Sequence, residues 1–157
     1  GLCLQVSFAN QHVESWGDED NLGNDAEDDT QAISLAFDYK FKSVPVEIFG
    51  EYIHQWDWAW DDRADVNLYQ IGVIWGVTEN IDLGVELDHA DIDDDMAAGT
   101  YEDQDFWAVD LALTYKFDNA IYTTLEYRHE WFDGDINNAN DLDAAADAIG
   151  LFVGWKF

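Results

Sequence analysis

Between Ile81 and Asp88, Ile81, Leu83, Val85 and Leu87 alternate with Asp82, Gly84, Glu86 and Asp88. From Trp107 to Phe117, Trp107, Val109, Leu111, Leu113, Tyr115 and Phe117 alternate with Ala108, Asp110, Ala112, Thr114 and Lys116. Successive side chains of an extended strand point to opposite faces, so each segment has one greasy face and one polar or small face. The same alternation, broken at intervals, predicts eight strands over approximately 2–14, 31–42, 46–57, 66–77, 81–91, 105–117, 121–132 and 147–157. The fourth has the least regular pattern. In the last, Ile149, Leu151, Val153, Trp155 and Phe157 share one face, and Gly150, Phe152, Gly154 and Lys156 the other.

The connections are of two kinds. Ser43-Val44-Pro45, Thr78-Glu79-Asn80 and Asp118-Asn119-Ala120 read as tight turns, and 15–30, 58–65, 92–104 and 133–146 as longer polar loops. Short and long alternate along the whole chain, as in an up-and-down meander with turns at one end and loops at the other. The expected fold class is therefore all-β: one domain over residues 1–157, an antiparallel up-and-down transmembrane β-barrel. It is either a complete small barrel or half of a larger one. Each predicted strand is long enough to cross a bilayer when tilted, which takes about 9–11 residues. Tyr39-Lys40-Phe41, Tyr115-Lys116-Phe117 and Trp155-Lys156-Phe157 each close a strand at the short-turn end. Glu51-Tyr52-Ile53-His54-Gln55-Trp56 recurs as Glu126-Tyr127-Arg128-His129-Glu130-Trp131 on strands running the other way. Aromatic residues thus collect at both strand ends, and Tyr39, Trp56, Tyr115, Trp131, Trp155 and Phe157 are candidates for the two membrane interfaces.

Charge narrows the partners. The chain has 35 acidic residues against 6 basic ones, a formal net charge of −29, yet 48% of its residues are hydrophobic and 15% aromatic. That apolar content argues against simple disorder, and the absence of a basic stripe argues against nucleic acid. Segments 17–30, 57–65, 91–105 and 133–147 hold 23 of the 35 acids. A solvated, self-repelling rim is one reading of them, and Ca²⁺ or Mg²⁺ contact is the other. The lone Cys3 has no disulfide partner and no cysteine or histidine cluster suited to zinc. No stretch reaches the length of a membrane helix. Gly1 leads directly into a strand pattern, so an upstream portion is expected, and a signal for export would already have been removed.

The segment from Asp110 through the turn at Asp118 to Glu126-Tyr127, followed by an Asp/Asn-rich loop and the closing AIGLFVGWKF, resembles the carboxyl-terminal hairpins of Gram-negative general porins. The resemblance implies insertion by the barrel-assembly machinery through the terminal aromatic strand and passive diffusion of small solutes. It also implies a possible homotrimer, long loops outside the cell and short turns in the periplasm, with outer-membrane lipid and lipopolysaccharide as neighbours. Porins of that kind have sixteen strands where this chain shows eight. Small closed outer-membrane barrels, which anchor or adhere, have eight.

On the face opposite the greasy one, Glu47, Glu51, Glu86, Asp110, Glu126, Arg128, Glu130, Lys40, Lys116 and Lys156 are the candidate pore-lining residues, with Asp82 and Asp88 among them. The cations are too few to pair all the carboxylates, which favours a hydrated, cation-attracting lumen over a dry one. Asp91, Asp93, Asp95 and Glu102 match positions 1, 3, 5 and 12 of a calcium loop, but Met96 stands where that loop needs glycine. His12, His54, His89 and His129 fall near the loop-side ends of alternate strands, all on the greasy face. They are too far apart to share one metal ion, and interfacial hydrogen bonding to lipid headgroups is their preferred role. His54 with Asp57 and His89 with Asp91 are the nearest approaches to a catalytic pair, and amid so much acid they carry little weight; no enzyme activity and no cofactor beyond Ca²⁺ or Mg²⁺ are expected. The expected function is an outer-membrane porin for passive, cation-favouring diffusion. The alternatives are a closed structural or adhesion barrel with acidic, divalent-cation-binding external loops, and a soluble acidic barrel holding a ligand inside.

Overall fold

Alternating β-branched, aromatic and small residues form strands because their side chains fit a pleated surface, and consecutive strands joined by short connections pair antiparallel. The computed structural model describes residues 1–14, 27–56, 64–94, 104–117, 120–136 and 140–155. Its strands are β1 (Leu2–Glu14), β2 (Glu27–Lys40), β3 (Val46–Trp56), β4 (Ala64–Gly76), β5 (Ile81–Asp94), β6 (Gln104–Lys116), β7 (Ile121–Ile136) and β8 (Asn140–Trp155). They form one sheet in sequence order, each antiparallel to the next. The expected meander is present as an open sheet: β1 and β8 lie at its two edges, and no ladder joins them among the described residues.

Several strands run further into polar sequence than the alternation predicts. β2 begins at Glu27 rather than 31, β5 continues to Asp94, β7 to Ile136, and β8 begins at Asn140 rather than 147. Asp133, Asp135, Asp141 and Asp143, expected in a long loop, are ladder residues: Asp133 pairs with Asp143 and Ile136 with Asn140. The strict alternation of short and long connections therefore fails at the last one. The physical reason is that ladder hydrogen bonds are made by the backbone, whereas the apolar pattern marks only the part of a strand whose outer face avoids water.

The ladders keep constant register, so residues on neighbouring strands align in rows that share a face. One row reads Val85, Leu111, Tyr127, Ile149, and the next, on the opposite face, Glu86, Asp110, Arg128, Ala148. Burial follows these faces. The buried side chains Ser34, Val66, Ala90, Ala108 and Asp110 all belong to the face of Glu86. Leu4, Val6, Phe8, Leu35, Ile71, Leu125, Leu151 and Val153, on the face of Val85, are all exposed. In a single-layer sheet, burial confined to one face means the sheet curls toward that face, here called inner. The irregular pattern of β4 now has a cause: its inner face carries Val66, Leu68 and Ile74 opposite the outer Tyr69, Ile71 and Val73, so both faces are apolar. Gly72 permits a close approach on the inner face, where the Phe49 ring occupies the space a Cβ would fill.

Candidate functional site

Three adjacent strands build the charged centre of the inner face. Glu86 and Asp88 on β5 stand beside Asp110 on β6, which is paired with Arg128 on β7. Because i and i+2 share a face, β5 contributes two carboxylates at consecutive inner levels. The Arg128 guanidinium reaches across β6: Nη1 donates to Asp110 Oδ2 at 2.5 Å and to Asp88 Oδ2 at 3.0 Å, and Nε donates to Glu130 Oε2 at 3.2 Å. Glu86 accepts from Gln70 Nε2 at 2.8 Å. Glu86, Asp88 and Asp110 bring oxygens within 4.8 Å of one another. Hard oxygen donors suit a divalent cation, but the guanidinium already occupies this centre, so the cluster is an arginine site held by acids. Asp88 Oδ1 and Asp110 Oδ1 are buried without a hydrogen-bond partner among the described residues. A cavity of about 310 Å³ opens beside Asp110, lined by Phe49, Glu86, Asp110, Glu126 and Arg128 among others.

Toward the short-turn end, Lys40 Nζ lies 2.5 Å from Glu47 and Lys116 Nζ 2.5 Å from Asp82. These residues rim a second cavity of about 550 Å³. The inner face is thus graded: ion pairs containing lysine at one end, and a carboxylate-rich centre with a single guanidinium.

Of the candidate pore-lining residues, Lys40, Glu47, Glu51, Glu86, Asp110, Lys116, Glu126, Arg128 and Glu130 all lie on this one face. Lys156 lies outside the described residues. Glu51 and Glu126 make no ion pair among the described residues. Of the inner-face acids, Asp38 escaped the sequence-based list of lining residues, whereas Asp88 was on it. Asp88 is a principal partner of Arg128, and Asp38 stands beside Lys40 and Glu47. Asp88 had the right parity, but only the register shows that the arginine two strands away reaches it.

On the outer face, the register aligns Tyr52, Tyr69, His89, Trp107 and Trp131 in one row across β3 to β7. Their rings form a near-continuous band, with centroids 5.0, 5.8, 4.0 and 6.3 Å apart in that order. Among the interface candidates, Tyr39, Trp56, Tyr115, Trp131 and Trp155 are all on the outer face, and Phe157 lies outside the described residues. Tyr39 packs edge-on against Phe41, and Tyr115 against Phe117, both at 4.8 Å, at the short-turn end. The histidines bond to their neighbours: His54 Nδ1 to Asn67 Oδ1 at 2.9 Å, His89 Nδ1 to the Phe106 carbonyl at 3.2 Å, and His129 Nδ1 to Asp147 at 2.8 Å. The side chain of His12 is outside the described residues. Ser7 and Ser34 bond each other at 2.7 Å on the inner face, so these serines and the outer-face histidines lie on opposite sides of the sheet.

Immediately loop-side of the aromatic row stands a row of like charge. Asp91 pairs with Asp105, Asp105 with Asp133, and Asp133 with Asp143. The calcium-loop set is recast by this geometry, because Asp91 and Asp93 belong to β5 and not to a loop. Asp95, Glu102 and Asp57 lie outside the described residues. Comparison with known proteins finds no matching family model, no matching curated protein and no matching solved structure.

Proposed function

We propose that this chain forms the wall of an outer-membrane porin that admits small solutes passively and favours cations. The observation that carries the reading is the inversion of the sheet, whose apolar side chains are exposed on the outer face while its charges crowd on the inner one. An exposed apolar surface of this extent is a hallmark of contact with lipid or another apolar partner. The aromatic row supports lipid. Trp107 and Phe117 are ten positions apart on one extended segment, about 33 Å along it and about 25 Å across a bilayer at the usual strand tilt of 35–45°. Lys40 and Lys116 would then face the periplasm and the aspartate row the outside. On the inner face, Glu51, Glu86, Glu126 and Asp110 raise the local concentration of cations, and Arg128 sets where that field is interrupted.

The test is the reversal potential of the purified chain in a planar bilayer under a salt gradient. The Glu86→Gln, Glu126→Gln double variant is expected to shift it toward zero with conductance retained. Unchanged selectivity with the same conductance would remove these acids from the pathway.

A second reading, a structural or adhesion barrel whose outer rim binds divalent cations, is favoured by the aspartate row, since like charges directly opposite one another destabilise a sheet. Millimolar Ca²⁺ or Mg²⁺ is expected to raise the unfolding free energy by on the order of 1–3 kcal/mol through linkage, and Asp105→Asn with Asp133→Asn to remove most of that gain. Equal stability with the ion and with chelator would leave the row as solvated charge.

A further inference from the structure

Loop-side of its charged centre, the inner face turns apolar. The register sets Ile53, Leu68, Ala90, Phe106 and Phe132 in one inner row across β3 to β7. On each strand this row stands two residues from the row of Glu51, Gln70, Asp88, Ala108 and Glu130. Because i and i+2 of a strand share a face, the apolar and acidic rows are immediate neighbours. Where they meet, a cavity of about 240 Å³ is lined by Glu51, Ile53, Leu68, Asp88, Phe106 and Arg128 among others. Its two acids are not fully satisfied. Asp88 engages the Arg128 guanidinium through Oδ2, and its Oδ1 is buried without a hydrogen-bond partner among the described residues. Glu51 makes no ion pair among them. The charge of Arg128 is already shared by Asp88, Asp110 and Glu130, and its guanidinium carbon stands 6.0 Å from the Phe106 ring centroid.

We propose that this cavity binds small organic ammonium ions that carry an apolar group, with the ammonium at Glu51 and the apolar body on Ile53, Leu68 and Phe106. Charge selects the sign of the guest, because two carboxylates line the cavity and the guanidinium beside them is offset by three. The apolar wall selects its body. A hydrated metal ion gains nothing from that wall, and Ca²⁺ needs about six to eight oxygen ligands. A neutral apolar solute covers the wall but takes water from Glu51 without replacing its hydrogen bonds, which costs free energy. An organic ammonium does both: it gives the carboxylate a charge-assisted hydrogen bond and removes apolar side chains from water. Volume sets the size of the guest. Drug-sized ligands fill about 300–1,000 Å³, so this smaller cavity suits a single ring or a short branched chain with one ammonium. The residues that build it lie on β3 to β7, and the site is independent of whatever lies beyond β1 or β8. Under the porin reading, on which passage rests but binding does not, such ions are the preferred class of solute.

Equilibrium dialysis of phenethylammonium against the chain folded in phosphatidylcholine nanodiscs, with protein-free discs as the blank, tests the site. Saturable binding is expected, about tenfold or more tighter than that of methylammonium, which lacks the apolar body, or of hydrocinnamate, which carries the same ring on a carboxylate. Glu51→Gln and Leu68→Asn are each expected to weaken it about tenfold. Glu79→Gln, the same loss of charge in the turn before β5, should leave it unchanged. The comparison of probes on the unaltered chain decides the matter even where a variant fails to fold. Methylammonium binding as tightly would overturn the proposal in favour of plain charge attraction, and hydrocinnamate binding as tightly would overturn it in favour of an unselective apolar cavity. Tighter binding of phenylalanine would overturn it in favour of a zwitterion site in which Arg128 takes the carboxylate. Absence of saturable binding in folded protein would overturn it outright. None of these readouts needs conductance. A chain that binds the amine without conducting sinks the porin reading alone, and one that conducts without binding it sinks this site alone.

Discussion

Leu111 and Asp110 are neighbours on β6, yet the apolar side chain is 45% exposed and the residue bearing the carboxylate only 8%. The contrast extends along whole rows, Val85, Leu111 and Tyr127 on one face and Glu86, Asp110 and Arg128 on the other. In a water-soluble sheet the two would be exchanged. Burial and polarity are separate properties: the inner face is crowded because the sheet curls, and under the proposed membrane reading the outer face is apolar because lipid surrounds it. Charges tolerate crowding when they are paired or hydrated, whereas a continuous apolar belt calls for lipid or another apolar partner to cover it.

The widest separation between the faces should come from adding the same charge to each. Leu111→Lys, midway between the two aromatic ends of β6, is expected to lower the unfolding free energy in lipid by about 2–4 kcal/mol, whereas Ala112→Lys, opposite Glu126, should cost about 1 kcal/mol or less. Equal costs in urea titrations would break the comparison. Removing the inner cation comes next. Arg128→Ala leaves Asp88, Asp110 and Glu130 facing one another, with an expected loss of about 1–3 kcal/mol. This lies at the low end for a broken ion pair because the guanidinium is 31% exposed. Added salt should recover part of that loss, and an insensitive variant would mean that the cluster contributes nothing to folding. The smallest effect touches neither face. Ala120, in the turn before β7, has φ of 64°, a conformation that costs side-chain-bearing residues free energy. Ala120→Gly should stabilise by roughly 0.5 kcal/mol, measured by the same titration, and gives the scale against which face effects are read.

How much was legible in the sequence differs by feature. Period two placed Glu47, Glu51, Glu86, Asp110, Glu126, Arg128 and Glu130 on one face correctly, because side-chain parity is a local property of an extended backbone. The same rule put Tyr39, Trp56, Tyr115, Trp131 and Trp155 on the other. It missed the row from Tyr52 to Trp131, since residues far apart in the chain align only through the register of four ladders. It also ended β7 and began β8 at the edge of the apolar pattern, whereas the strands continue through aspartates whose backbones pair regardless of side chain. The calcium-like spacing starting at Asp91 begins inside β5, which holds Asp91 and Asp93, so spacing alone did not show that these residues belong to a strand.

The sequence by itself determined the number of strands, their order as a meander and the identity of each face, all of which follow from short-range geometry and hydrophobic periodicity. Only the tertiary structure decided which charges meet across β5, β6 and β7, where the aromatic and aspartate rows fall, and that no ladder joins β1 to β8 among the described residues. Those features depend on register and curvature, which arise when distant segments pair and have no counterpart in any local stretch of the chain.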